Sequence, residues 1–188
     1  FARGTNLPYK TTRDAIRALN GRRLFSLPPL VQSDQVKRHL FVSKNVQLLV
    51  GDLSRGTAYE RYRATARAMM DAFSTGEAIS VRWDPRNKKK RPATMARINP
   101  LSDGVWDFRC CDPRPGVRIF GRFAECDVFV ALTWQDRVDC DFAEEALRCR
   151  ACWQALFNHL PPHDGSSVND FGSICVSYGF LAFSPPGC

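Results

Sequence analysis

The chain has no hydrophobic run of the length that a membrane span requires. Its longest apolar stretch, around Val128–Leu132, is strand-sized, whereas a spanning helix needs about 20 apolar residues. Basic residues at Arg3, Lys10 and Arg13 interrupt the apolar segment that a signal peptide would need. We therefore expect a cytoplasmic protein that is not embedded in a membrane.

Motifs with a defined phosphate or nucleophile geometry are also missing. The sequence contains no Gly-x-Gly-x-x-Gly, no Gly-Lys-Ser/Thr and no Gly-x-Ser-x-Gly, the patterns that bring backbone amides against a phosphate or expose a nucleophilic serine. Internal repeats are absent, and histidine occurs only three times. The sequence thus predicts no dinucleotide-binding protein, P-loop NTPase or α/β-hydrolase, and it indicates no cofactor.

Cysteine is plentiful, with eight residues. A chain of this length can build a core without disulfides, so we expect reduced thiols. Cys149 and Cys152 form a Cys-x-x-Cys that His159 and His163 follow, which is one pattern for a zinc site. On a helix, however, Cys149, Cys152 and Leu156 share one face, as core residues do. We favour the helix face and assign no metal, and zinc remains the open alternative.

Positive charge is in excess. Lys and Arg number 27 against 19 Asp and Glu, which gives a formal net charge of +8 and a pI near 9.3. Such a charge attracts polyanions, so nucleic acid is the leading partner class, although a merely basic surface has the same charge. A basic segment between Pro85 and Pro92 is expected either to contact phosphates or to be a solvated loop, and its cations are Arg86, Lys88, Lys89, Lys90 and Arg91.

The period of the hydrophobic residues changes from helical to alternating after Gly76 and returns to helical near Asp141. Short links predict antiparallel neighbours, so the fold class is α+β, with N-terminal helices, a four- to five-stranded antiparallel meander and a C-terminal helix. We divide the chain into a helical extension (1–53), an α+β domain (54–160) and a tail (161–188). Helices are predicted over 11–21, 33–45, 57–74 and 141–160, and strands over 78–83, 94–98, 105–109, 117–123, 128–134 and 174–176.

Arginines recur on two neighbouring strands of the predicted meander. Arg118, Phe120 and Arg122 share one face of the strand from Val117, while Arg109 lies on the preceding strand. Guanidinium groups bind phosphate in a bidentate manner and an aromatic ring stacks on a base, so this face suits a nucleic acid, with Arg114 in the turn. The alternative is an exposed sheet face whose arginines pair with carboxylates across the strands, and the candidate carboxylates are Asp107, Glu125 and Asp127.

These strands resemble the RelE/HigB-type toxin family over roughly residues 57–160. The matching segments are Trp106-Asp107-Phe108-Arg109, Gly116-Val117-Arg118-Ile119-Phe120 and the apolar strand Val128–Trp134. The resemblance implies metal-free, ribosome-dependent cleavage of messenger RNA, with Arg109 and Arg118 holding the scissile phosphate. It also implies an acidic, antitoxin-like partner. His159 is the candidate acid/base, and Arg137 is the one basic residue directly after the last strand.

Two other hypotheses about the function remain open. The first is a non-catalytic binding module, of the mobile-element or phage type, whose basic face docks on nucleic acid or on an acidic protein. The second is a structural subunit that uses the N-terminal helices and the tail as its interface. An acidic cluster around Asp141 complements the dipole of the last helix and does not require a metal. RNA or the ribosome is the partner that we expect, and the oligomeric state is not predicted.

Overall fold

The computed structural model describes residues 11–51, 60–85, 93–112, 114–163 and 180–182. Within them the α+β class is confirmed. The helices are α1 (Thr12–Leu19), α2 (Lys44–Val50), α3 (Glu60–Thr75) and α4 (Phe142–Phe157), with a 3-10 helix at Leu101–Asp103. The strands are β1 (Leu24–Ser26), β2 (His39–Ser43), β3 (Ile79–Arg82), β4 (Met95–Arg97), β5 (Val105–Cys110), β6 (Val117–Glu125), β7 (Val128–Asp136) and β8 (Phe180–Ala182).

One open, mixed sheet contains all these strands, in the order β1-β2-β7-β6-β5-β4-β3-β8. Its centre, β4 to β7, is the antiparallel meander that the short links predict. The prediction that the strand over 78–83 is antiparallel to its successor is wrong, because β3 and β4 run parallel. The link between them, residues 83–94, is long enough for a parallel return. β2 also pairs in parallel with β7, and β8 with β3.

The sheet has a hydrophobic core on each side. On one side α2 and α3 cover a core that includes Phe73, Phe108 and Phe129, and on the other α1 and α4 cover a core that includes Phe120 and Trp153. The alternation in β6 sends successive side chains to these two cores. The molecule is therefore a three-layer arrangement in which most side chains of the central strands are buried.

The N-terminal region differs from its prediction. Residues 33–43 are not helical; instead β2 places Leu40 and Val42 in the core beside β7, and α2 begins only after Ser43, whose hydroxyl accepts a hydrogen bond from the Val46 amide. The predicted helix gives way to a strand because burial of Leu40 and Val42 beside β7 outweighs weak helix propensity. The segment 1–53 therefore supplies strands to the main sheet as well as helices.

Helix caps explain the elements that the sequence predicts well. The Thr11 side chain accepts from the Asp14 amide at the start of α1, and Asp141 accepts from the amides of Ala143 and Glu144 at the start of α4. The described part of the predicted helix 57–74 is α3. The predicted strand 174–176 lies outside the described residues. Among the residues that the structure describes, no helix is both long and apolar enough to span a membrane.

Candidate nucleic-acid interface

Three arginines and one aspartate meet on the sheet face that carries α4. Asp107 and Arg109 alternate with core residues on β5, Arg118 is the register partner of Arg109 on β6, and Arg82 reaches the same row through Ala96 on β4. Residues that are paired in register share a face. We call Arg82, Asp107, Arg109 and Arg118 the arginine cluster.

Asp107 is the centre of this cluster. Its carboxylate is fully buried, and Arg109 Nε donates to both oxygens at 3.1 and 3.2 Å. Arg118 Nε lies 3.5 Å from Asp107 Oδ2. The carboxylate thus holds two guanidinium groups beside each other, where their like charges would otherwise separate them. The alternative hypothesis for this face, in which arginines pair with carboxylates across the strands, therefore holds for Arg118 and Asp107.

The cluster is partly shielded from solvent, and this burial shifts the pKa values of its side chains. Burial raises the pKa of Asp107, and this effect outweighs the opposing influence of Arg109 and Arg118. The pKa of Arg82 is lowered, first by burial and then by repulsion from Arg109. With Asp107 ionised, the four side chains carry a formal charge of +2. Because the site is partly shielded from water, an anion bound there would be attracted more strongly than at a fully hydrated surface.

The cluster remains open to solvent at one end. Phe142, the first residue of α4, packs on Phe120 with ring centroids 6.1 Å apart, so α4 covers the sheet from there toward Arg122. The side chains of Arg109 and Arg118 keep 17% and 10% exposure. Because guanidinium has several donors, these exposed edges can bind an external oxyanion while the Asp107 contacts persist.

The rim of the opening carries one more cation and two thiols. Arg137 is exposed and lies over the Phe142 ring, 5.2 Å from its centroid. Arg118 Nη1 contacts the Sγ of the exposed Cys111 at 3.6 Å. Burial, with a contribution from Glu145, raises the pKa of Cys140 to about 11. At neutral pH Cys140 is therefore a neutral thiol.

Two of the residues predicted to contact nucleic acid are buried and cannot do so. Phe120 has no exposed surface and belongs to the core under α4, so it cannot stack on a base. Arg122 is also buried; it donates to the Asp103 carbonyl and lies over the Trp153 ring. The alternation correctly placed them on one face with Arg118, but the docking of α4 covers that face.

The remaining predicted residues are dispersed. Arg114 is exposed in the β5–β6 turn, and the basic segment 86–91 lies outside the described residues. His159 is exposed and lines a different site, a groove of about 530 Å³ that also borders Arg122. Arg122 and Arg118 are four residues apart on β6, or about 13 Å at the rise of a strand. The structure thus joins Arg109 and Arg118 but places His159 elsewhere.

The Cys-x-x-Cys lies on α4 as a helix face. Cys149 is buried in the core, where burial raises its pKa, and Cys152 is half-buried. His163 is fixed through its backbone amide, which donates to the Phe123 carbonyl at 2.8 Å. Among the described residues, no group of three or more His, Cys, Asp or Glu side chains is placed to hold a metal ion.

Arg82 is the member of the cluster that sequence reasoning missed. Alternation in the predicted strand 78–83 puts it on the more polar face, but nothing local indicates which strand lies beside it. Only the register of β3 against β4, and of β4 against β5, brings it to the row of Asp107.

Comparisons with protein families, with curated proteins and with solved structures find no match to this chain.

Proposed function

We propose that this chain binds a nucleic acid by its phosphate backbone, at the arginine cluster. The observation that carries the proposal is the contact of Arg109 and Arg118 with one buried carboxylate, with Arg82 in the same row, which leaves excess positive charge where the two guanidinium groups are partly exposed. Preorganised guanidinium groups bind phosphate in a bidentate manner with little loss of side-chain entropy. RNA is the partner that we expect first.

The described residues on either side of the basic segment support this proposal. Segment 86–91, with five cations, connects the neighbouring strands β3 and β4. On its far side, Thr94 accepts from the Arg109 amide at 2.9 Å and donates to Ser80 Oγ, also at 2.9 Å. The chain therefore enters and leaves this segment beside the arginine cluster. Its charges add long-range attraction for a polyanion to the shaped site.

The chemistry near the cluster favours binding over cleavage. Cutting RNA without a metal requires a group that moves a proton near neutral pH. The described titratable groups beside Arg109 and Arg118 are Asp107, whose carboxylate has no exposed surface and contacts both guanidinium groups, and cysteine thiols, of which Cys140 stays protonated. His159, the acid/base that the toxin resemblance suggests, lines the separate groove. The non-catalytic module is thus the better-supported form of the proposal, and cleavage by a RelE/HigB-type reaction is its rival.

Variants of the cluster test the proposal directly. Fluorescence anisotropy with a labelled single-stranded RNA, and with DNA of the same sequence, would compare the wild type with Arg82→Gln and Arg109→Gln. Each loss of one phosphate contact should weaken binding about 5- to 30-fold, since a charge-assisted hydrogen bond contributes about 1–2 kcal/mol. A gel of the same samples detects cut RNA.

Arg22→Gln is the matched control. Arg22 is exposed beside β1, at the opposite side of the sheet from β3. Because each variant replaces one arginine with glutamine, all of them have the same net charge. Thermal unfolding checks that all variants fold. Equal weakening in Arg22→Gln and Arg109→Gln would show that only net charge matters and would refute the site. RNA cleavage by the wild type that is lost in Arg109→Gln would instead support the rival hypothesis, a RelE/HigB-type nuclease.

A further inference from the structure

The groove along the C-terminal half of α4 has the volume of a small-ligand site and a lining of polar and apolar residues. Its volume is about 530 Å³, within the range of about 300–1,000 Å³ that ligand pockets occupy. One wall is a face of α4 and the other is formed by Ser102, Asp103 and the Pro161–Pro162 pair. Leu147, which is 60% exposed, marks its other end.

Buried interactions hold this groove open in a fixed shape. Arg122 stacks on Trp153 and donates to the Asp103 carbonyl. Arg97, which is buried beside the Trp83 and Trp106 rings, donates to the Leu101 carbonyl at 2.6 Å. Both arginines thus anchor the 3-10 helix that forms the wall. On the other side Trp153 Nε1 donates to the Leu160 carbonyl at 2.8 Å, which fixes the chain before the two prolines.

The polar groups of the groove are of two kinds. Arg150 Nη1 contacts Asp103 Oδ2 at 3.3 Å, yet its side chain is 49% exposed, so its other N–H donors can bind an oxyanion. Gln154 and His159 are exposed on the same rim and offer both donors and acceptors. The formal charges of Arg122, Arg150 and Asp103 add up to +1.

We propose that this groove binds one nucleotide unit, with the phosphate at Arg150 and the base against the Pro161–Pro162 pair. The exposed amide of Gln154 then faces the edge of the base. A flat ring with hydrogen-bonding edges matches a lining of apolar surface and a few polar groups, and the phosphate matches the positive charge.

The unit has two possible sources, a free mononucleotide and a strand already bound at the arginine cluster. The strand form rests on the proposed function, whereas the mononucleotide form does not. From Phe142, beside the cluster, to Arg150 the path along α4 is about 12 Å, which about four stacked nucleotides span at 3.4 Å each. A strand that fills both sites should therefore have at least about five nucleotides.

NMR titration of the full chain tests the groove. Uridine and adenosine 5′-monophosphates are compared with ribose 5-phosphate, with the Trp153 indole N–H as the reporter. The mononucleotides should bind at least about tenfold more tightly than the sugar phosphate. Arg150→Gln and Gln154→Ala should each weaken them about fivefold or more, while Arg22→Gln should leave them unchanged.

A length series distinguishes the strand source. If only strands bind, Arg150→Gln should weaken an RNA of about ten nucleotides but leave one of about two nucleotides, held at the cluster alone, unaffected. Either result supports the groove. The proposal is overturned if no mononucleotide shifts the reporter up to about 10 mM and Arg150→Gln has no length-dependent effect. Because Arg109→Gln is measured in parallel, failure of the cluster and failure of the groove give separate results.

Discussion

The salt dependence of nucleic-acid binding measures how many phosphates the protein neutralises. For single strands the logarithm of the affinity falls with the logarithm of salt concentration at a slope of about −0.7 per phosphate. The arginine cluster has three cations and one carboxylate, so it accounts for about two phosphates and a slope of about −1.4. If the five cations of segment 86–91 also bind, the slope steepens to about −4.9.

These two slopes are easily separated by experiment. Between 50 and 200 mM salt, the cluster alone predicts a loss of affinity of about sevenfold, and the cluster with the basic segment predicts a loss of about 900-fold. Anisotropy titrations at four salt concentrations measure the slope. Arg109→Gln should make it less steep by about 0.7, and replacing all five segment cations with glutamine should do so by about 3.5.

The control is again Arg22→Gln, which should leave the slope unchanged because Arg22 lies at the opposite edge of the sheet. A slope near zero in the wild type would contradict nucleic-acid binding altogether. A slope that Arg22→Gln and Arg109→Gln reduce equally would contradict the shaped site and leave only diffuse surface charge.

Three further predictions concern stability and are measured by urea unfolding. Arg38 is fully buried, pairs with Asp127 and donates to the carbonyls of Phe73 and Glu77 at 3.3 and 3.2 Å; Arg38→Met should lower the free energy of unfolding by about 3 kcal/mol, and a loss no larger than in the exposed Arg23→Met would contradict this role. Burial raises the pKa of Asp107 above its ordinary value of 3.8, so its stabilising contribution is complete below about pH 3.8 and declines as the pH rises through the native pKa; this decline should vanish in Asp107→Asn, and its persistence there would assign it to another group. A Cβ on Gly121 would collide with the Val130 carbonyl and the Phe129 ring, so Gly121→Ala should cost about 1–3 kcal/mol, and an unchanged midpoint would show that the sheet adjusts.

Local patterns were sufficient for much of the fold. Helical periodicity predicted α1 and α4, because amphipathicity is a local property that repeats with each turn of a helix. Alternation and turn residues predicted the meander from β4 to β7, since short links leave antiparallel pairing as the accessible arrangement. The same alternation put Arg118, Phe120 and Arg122 on one face of β6.

Contacts between distant segments decided the rest. The pairing of β2 with β7 joins residues about ninety positions apart and turns a predicted helix into a strand. The docking of α4 buries Phe120 and Arg122 but leaves Arg109 and Arg118 partly exposed. Strand register then adds Arg82 to their cluster. A sequence by itself determines which side chains share a face, because that depends on backbone geometry alone. Only the tertiary structure decides which part of the face stays open to a ligand, because that depends on what packs against it.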